Sequence, residues 1–196
     1  MRLGILGGSF DPPHHAHLAM ARAALAWGLD QVLLIPARVP PHKQTHALTD
    51  PYLRYAMAEL AALNEPGLLV DPLELEREGP SYTIDTLRAL HGRGDLEECF
   101  VLVGEDNWRT LGTWKDLDQF PPLARFMVFE REAAEEPGPA VPETVRQGAV
   151  HFPGFAMRVS GTGIRALVAA GDASWMDQVP ALVRAYIEKR RLYVDP

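Results

Sequence analysis

The densest chemistry in the chain lies in Gly7-Gly8-Ser9-Phe10-Asp11-Pro12-Pro13-His14-His15-Ala16-His17-Leu18. Two glycines directly after an apolar run let the backbone turn and come close to a ligand. The Ala-rich stretch beyond them has helical spacing. Its first N–H groups and the positive end of its dipole therefore face whatever the glycine turn holds, which suits a phosphate. His14 and His17 are three residues apart and share one face of that helix start, where two imidazoles can donate to phosphate oxygens. The segment is neither a G-x-G-x-x-G fingerprint nor a Walker A loop, since no Gly-Lys-Ser/Thr follows. A turn carrying surface histidines is the plain alternative. Zinc is a weaker reading, because no third ligand stands at sensible spacing.

Three further segments carry polar groups suited to a nucleotide. In Ser160-Gly161-Thr162-Gly163-Ile164-Arg165, Ser160 and Thr162 can cap a helix and Arg165, expected in its first turn, can clamp two phosphate oxygens. An ordinary cap with a solvated arginine explains the same residues. In Pro36-Ala37-Arg38-Val39-Pro40-Pro41-His42-Lys43, one of only three lysines follows a proline-stiffened loop, which fits phosphate capture or a merely solvated charge. After the apolar run at 100–103, Gly104 and Asp106 can meet ribose hydroxyls and Trp114 can stack on a flat heterocycle. A tryptophan at such a place also fits a core role.

The elements that must position these residues follow from hydrophobic patterning. Short apolar runs at 3–6, 32–35, 68–70, 100–103, 126–129 and 150–152 read as buried strands. Helical spacing marks 14–27, closed by Gly28, and 51–63, opened by Pro51 with Asp50 as its cap. It also marks 83–90, 162–170 and 180–189. Residues 36–50 read as a loop, and 132–142, rich in Glu, Ala and Pro, as an exposed one. Strand alternating with helix predicts an α/β fold, a single Rossmann-like domain over residues 1–196, with a mostly parallel sheet flanked by helices on both faces. Ligands in such sheets bind at the carboxyl ends of the strands, near the point where strand order reverses.

Composition agrees. The chain has 196 residues, 47% hydrophobic and 23% charged, with a formal net charge of -7. That balance argues against a broad nucleic-acid face. Cys99 is the single cysteine, so no intrachain disulfide can form and a reducing, cytoplasmic setting is expected. Asp11 cuts the apolar start short of a secretory leader, and no run approaches a membrane span. A homo-oligomer is left open.

Together the segments resemble the bacterial nicotinate mononucleotide adenylyltransferases, part of the nucleotidyltransferase superfamily marked by H-x-G-H or T-x-G-H. The family pattern G-G-T/S-F-D-P-x-H-x-G-H-L runs along residues 7–18, with Ala16 where Gly is usual. I-P-x-x-x-P-P-H-K matches 35–43, and G-x-S-Y-T-x-D-T-L matches 79–87. G-x-D with a following Trp matches Gly104, Asp106 and Trp114. I/V-S-S-T-x-I-R matches 159–165, with Gly161 in place of the second Ser. Ala16 is expected to tighten the pocket by a methyl group, and Gly161 to remove one hydroxyl near the phosphates.

The resemblance implies direct in-line attack of the mononucleotide phosphate on the α-phosphorus of ATP, with Mg²⁺ accompanying the triphosphate and no residue-held metal. It implies catalytic roles for His14, His17, Lys43 and Arg165, and an ATP site of Gly8, Ser9, Phe10, His14, His17, Ser160, Thr162 and Arg165. Tyr82, Thr83, Gly104, Asp106 and Trp114 would hold nicotinate mononucleotide. Two other readings compete: a sibling transferase acting on pantetheine phosphate or an alcohol phosphate, and a nucleotide-binding regulatory module without turnover.

Overall fold

A computed structural model describes residues 1–41, 48–94, 96–130, 141–155 and 159–194. Its apolar runs become six strands: β1 (Arg2–Gly8), β2 (Gln31–Pro36), β3 (Leu68–Val70), β4 (Glu98–Gly104), β5 (Arg125–Phe129) and β6 (Val150–Phe152). They form one sheet in the order β3-β2-β1-β4-β5-β6. Every pairing is parallel, with Leu3 opposite Gln31 on one side and Cys99 on the other. The order reverses between β1 and β4, which places the ligand crevice beyond Gly8 and Gly104.

The central strands β1, β2, β4 and β5 are buried on both faces, as parallel sheets require. Leu6, Leu34, Phe100, Leu102 and Met127 pack under α1 (His15–Trp27), α2 (Pro51–Ala62), α6 (Gly161–Ala169) and α7 (Ala181–Arg190). On the other face, Leu3, Ile5, Ile35, Val101 and Val128 meet α3 (Thr83–His91), α4 (Glu105–Arg109) and α5 (Glu143–Gln147). No described helix is long and apolar enough to cross a membrane.

The expected strands and the five longer helices occur, with ends shifted by one or two residues. Gly28 closes α1 in the left-handed conformation, φ +118°. The Asp50 carboxylate accepts the N–H groups of Tyr52 and Leu53 at 2.9 and 3.3 Å. The short helices α4 and α5 were not expected, because five residues are too few to show a helical period. The stretch 132–142 does not end as an exposed loop. Val141 is 1% exposed and Pro142 precedes α5, while 131–140 lie outside the described residues.

Arg54 stands on the apolar stripe of α2, with Met57, Ala58 and Ala61, and is 1% exposed. Its guanidinium donates to the carbonyls of Thr49 (2.9 Å), Ser9 (2.7 Å) and Arg38 (3.3 Å). Burial pulls its pKa below the ordinary value, and the nearby Asp11 carboxylate opposes that shift. Arg54→Met should leave these carbonyls without their donor and remove a cation close to Asp11, and so destabilise the fold by about 3–5 kcal/mol. Urea unfolding measures this directly. A midpoint equal to that of the parent chain would show that the guanidinium does not hold these loops.

Candidate functional site

Two cavities open at the carboxyl ends of β1 and β4. The first, about 180 Å³, is walled by Gly8, Ser9, Tyr82, Thr83 and Trp114. The second, about 170 Å³, is walled by His14, Ala16, His17, Gly104 and Asp106. Gly7, Leu102 and Asn107 border both. A Cβ built on Gly7 would meet nothing within 4 Å, so packing does not require glycine there. Its missing side chain leaves open space where the two cavities adjoin.

The histidine cavity is shaped by the start of α1. His14 is the cap residue and its N–H donates to His17 Nδ1 at 3.1 Å, while His17 N–H donates to the His14 carbonyl at 2.9 Å. The two rings stack 3.7 Å apart at 20°. Because Nδ1 of His17 accepts, the proton of the neutral imidazole is assigned to Nε2. Phe10, 1% exposed, meets His17 edge-on at 4.9 Å. Its side chain is therefore a core prop and lines neither cavity, and its φ of +48° turns the glycine loop toward α1. Ala16 lines this cavity. Gly104 and Asp106 were expected beside Tyr82 and Trp114. They lie instead with the histidines, because α4 starts directly at the end of β4 and turns them toward α1.

The other cavity is shaped by the start of α3. Thr83 is its first residue, so the N–H groups of Thr83 and Ile84 precede any intrahelical acceptor, while that of Asp85 already donates to the Tyr82 carbonyl at 3.1 Å. Trp114 packs against Phe120 and Phe126 at 6.1 and 6.0 Å while also lining the cavity, so it is both core and wall. Lys115 lies 4.7 Å over the Tyr82 ring. Ser81, which also lines this cavity, latches two segments together. Its hydroxyl accepts from Arg38 N–H at 3.0 Å, and its own N–H donates to the Val39 carbonyl at 2.9 Å, tying the β2 loop to α3. Glu74, also on the cavity wall, is 5% exposed and accepts from the Thr86 hydroxyl at 2.6 Å. Burial raises its pKa, against the lowering effect of that bond.

Ser160, Thr162 and Arg165 line neither cavity. They form a third group at the start of α6, docked on the β1 loop. Ser160 caps the helix, its Oγ accepting from Gly163 N–H at 3.2 Å. Arg165 is the fifth helical residue, because α6 begins one residue earlier than expected, and so stands just past the first turn. Its Nη1 donates to the Asp11 carbonyl at 2.7 Å and its Nη2 to the Thr162 hydroxyl at 3.3 Å. Lys43 lies outside the described residues. Sequence reading passed over Arg54, Glu74 and Asn107. Only Arg54 had a legible signal, a charge on an otherwise apolar helical stripe.

The model of the cytidylyltransferase-like family matches residues 5–167. The chain is 40% identical to a probable nicotinate-nucleotide adenylyltransferase of Gloeobacter violaceus, over 100% of this chain and 97% of that one. It is 36% identical to the nicotinate-nucleotide adenylyltransferase of Bacillus subtilis, over 98% of each chain. Its fold matches that of a Plasmodium falciparum nicotinic acid mononucleotide adenylyltransferase solved with NaAD, at TM-score 0.77 and 18% identity, over 98% of this chain and 97% of that one.

Gly161, one of the two departures from the family pattern, has a steric reason. A Cβ there would stand 2.9 Å from the Asp11 carbonyl oxygen, the same oxygen that receives Arg165. Restoring serine by Gly161→Ser should force Asp11 and α6 apart and cost about 1–3 kcal/mol of stability. Thermal melting of the variant checks it. A melting temperature at or above that of the parent would mean that the loop yields without strain.

Proposed function

Since the chain belongs to the nicotinate-nucleotide adenylyltransferases of the cytidylyltransferase-like family, we propose that its two cavities hold the two substrates, ATP at the histidines and nicotinate mononucleotide at Thr83 and Trp114. The enzyme transfers the adenylyl group of ATP to nicotinate mononucleotide and releases pyrophosphate, a step of NAD biosynthesis. The observation that carries the site assignment is the meeting of the cavities at Gly7, where a bond between two substrates has to form.

The chemistry needs positioning and charge neutralisation. A phosphate oxygen of the mononucleotide, already ionised near neutral pH, attacks the α-phosphorus. The bond to the oxygen bridging the α- and β-phosphorus breaks, and the electron pair leaves with pyrophosphate. No general base and no covalent enzyme intermediate are required. Holding the two reactants in line supplies roughly 7–11 kcal/mol in favourable cases. The Nε2–H of His17 donates to the transferring phosphate, and the start of α1 adds N–H groups and its dipole. Arg165 and Lys43 neutralise the leaving phosphates, and Ser160 and Thr162 order the helix end that presents Arg165. Asp106 stands with the histidines, on the ATP side of the crevice.

The donor set fits a metal that arrives on its co-substrate. No group of three metal-ligating side chains occurs among the described residues. Mg²⁺ would keep phosphate oxygens and water as its main ligands, with Asp106 as the carboxylate this chain could add. When bound, it neutralises phosphate charge.

The Thr83 hydroxyl and the first N–H groups of α3 are donors, which suit a carboxylate and conflict with the NH₂ of an amide. A transferase for pantetheine phosphate or an alcohol phosphate would leave Trp114 without a ring to stack on. With ATP and Mg²⁺, the enzyme should form nicotinate adenine dinucleotide and pyrophosphate, and prefer the acid substrate over nicotinamide mononucleotide by about 10²-fold or more in kcat/KM. Pyrophosphate release with each substrate measures both. No release would overturn the assignment, and equal kcat/KM would remove Thr83 from it.

His17→Ala should lower kcat by about 10²–10³, as for loss of one transition-state donor, while the Kd for ATP changes far less. His17→Asn retains a donor and should keep more activity. Near-normal turnover of a folded Ala variant, checked by circular dichroism, would make His17 structural.

A further inference from the structure

The segment after α7 turns back sharply onto the ligand loop. Arg191 and Tyr193 both adopt the left-handed conformation, with φ of +54° and +64°. Such angles are uncommon outside glycine and persist where surrounding contacts over-determine them. The contact here is specific. The Tyr193 hydroxyl donates to Asp11 Oδ1 at 2.8 Å, across 182 residues of sequence. Asp11 is 2% exposed, and its Oδ2 accepts Thr49 N–H at 3.3 Å.

Arg165 stands beside the same carboxylate without pairing closely to it. Its Nη1 is 3.9 Å from Asp11 Oδ2 and donates to the Asp11 carbonyl at 2.7 Å instead. Among the described residues two donors, Tyr193 and Thr49, hold the carboxylate in place while Arg165 docks on the backbone of the same residue. Resting on the substrate assignment above, we infer that Tyr193 is a positioning residue for adenylyl transfer, holding the Asp11 carboxylate so that it does not capture Arg165.

Without the hydroxyl, the buried Oδ1 loses its donor, which is costly unless another is found. Arg54 already gives N–H groups to three backbone carbonyls. Arg165, 28% exposed in its side chain, is the cation able to move. It would close to a bidentate pair with the carboxylate, which is shorter and stronger than its present contact. The guanidinium would then be neutralised and drawn away from the triphosphate. Burial raises the pKa of the Tyr193 hydroxyl well above its ordinary value, so the group stays a donor throughout the working range.

Tyr193→Phe keeps the packed ring and removes only the hydroxyl, so it enters a double-mutant cycle with Arg165→Ala in the full chain. The readouts are kcat, KM for each substrate, and the Kd of a non-hydrolysable ATP analogue. Tyr193→Phe should lower kcat/KM for ATP and weaken the analogue by about tenfold, with KM for the mononucleotide unmoved. In the Arg165→Ala background the same change should cost less than about twofold, because its target is gone. Thr49→Pro, which deletes the other described donor to the carboxylate together with the Thr49 hydroxyl that bonds Tyr193, should give a loss with the same dependence on Arg165 and serves if Tyr193→Phe melts below the assay temperature. An equal loss in both backgrounds, or no loss, overturns the inference. If the parent chain binds the analogue but makes no dinucleotide, the functional assignment fails, and the Tyr193–Arg165 coupling is still decided by the binding cycle.

Discussion

Everything at the ligand end of the sheet depends on one buried cation. A loop that faces ligands must leave its outward groups free, yet its inward carbonyls, cut off from water, need donors. Arg54 meets both demands. Its planar fork reaches Ser9 after β1, Arg38 after β2 and Thr49 before α2, fixing three segments to one helix. Lysine, a point charge on a flexible stem, could not span them with the same geometry. Asp11 balances the charge from the same loop that Arg54 holds, so anchor and counter-ion form one unit with the glycine turn.

Much of this was legible in residue patterns, because the information was local. Buried runs marked the strands, Gly28 and Asp50 marked helix ends, and strand–helix alternation implied the parallel sheet. His14 and His17 of the first motif fall in one cavity because three-residue spacing at a helix start leaves few other arrangements. Illegible parts depended on contacts between distant segments. Asp106 changed cavities because α4 begins at once after β4, and five residues show no period. Arg165 was correctly placed near a helix start, but its dock on Asp11 spans 154 residues and left no trace in either segment. Tyr193 carried no signal of its own.

Electrostatics near the crevice contrast with those of the whole chain. The formal net charge is -7, yet both substrates are anions. Long-range attraction cannot gather them. Recognition has to come from short-range groups: N–H dipoles at the starts of α1 and α3, imidazole donors, and a few cations close to the crevice. Ser81 fastens the β2 loop to the start of α3, and Glu74 accepts from Thr86 and so fastens the segment after β3 to the same helix, which leaves Thr83 and Tyr82 to face the cavity.

The adjoining cavities also bear on inhibition. A compound that links an adenosine group to a carboxypyridine riboside through a bridge crossing at Gly7 would fill both chambers at once. Its second half would bind as an intramolecular event, at an effective concentration that a short tether places in the millimolar range. Avidity of this kind needs no new contact, only a bridge of the right length. The dinucleotide product is itself such a tethered ligand, so the bond the enzyme makes also strengthens its hold on what it must release.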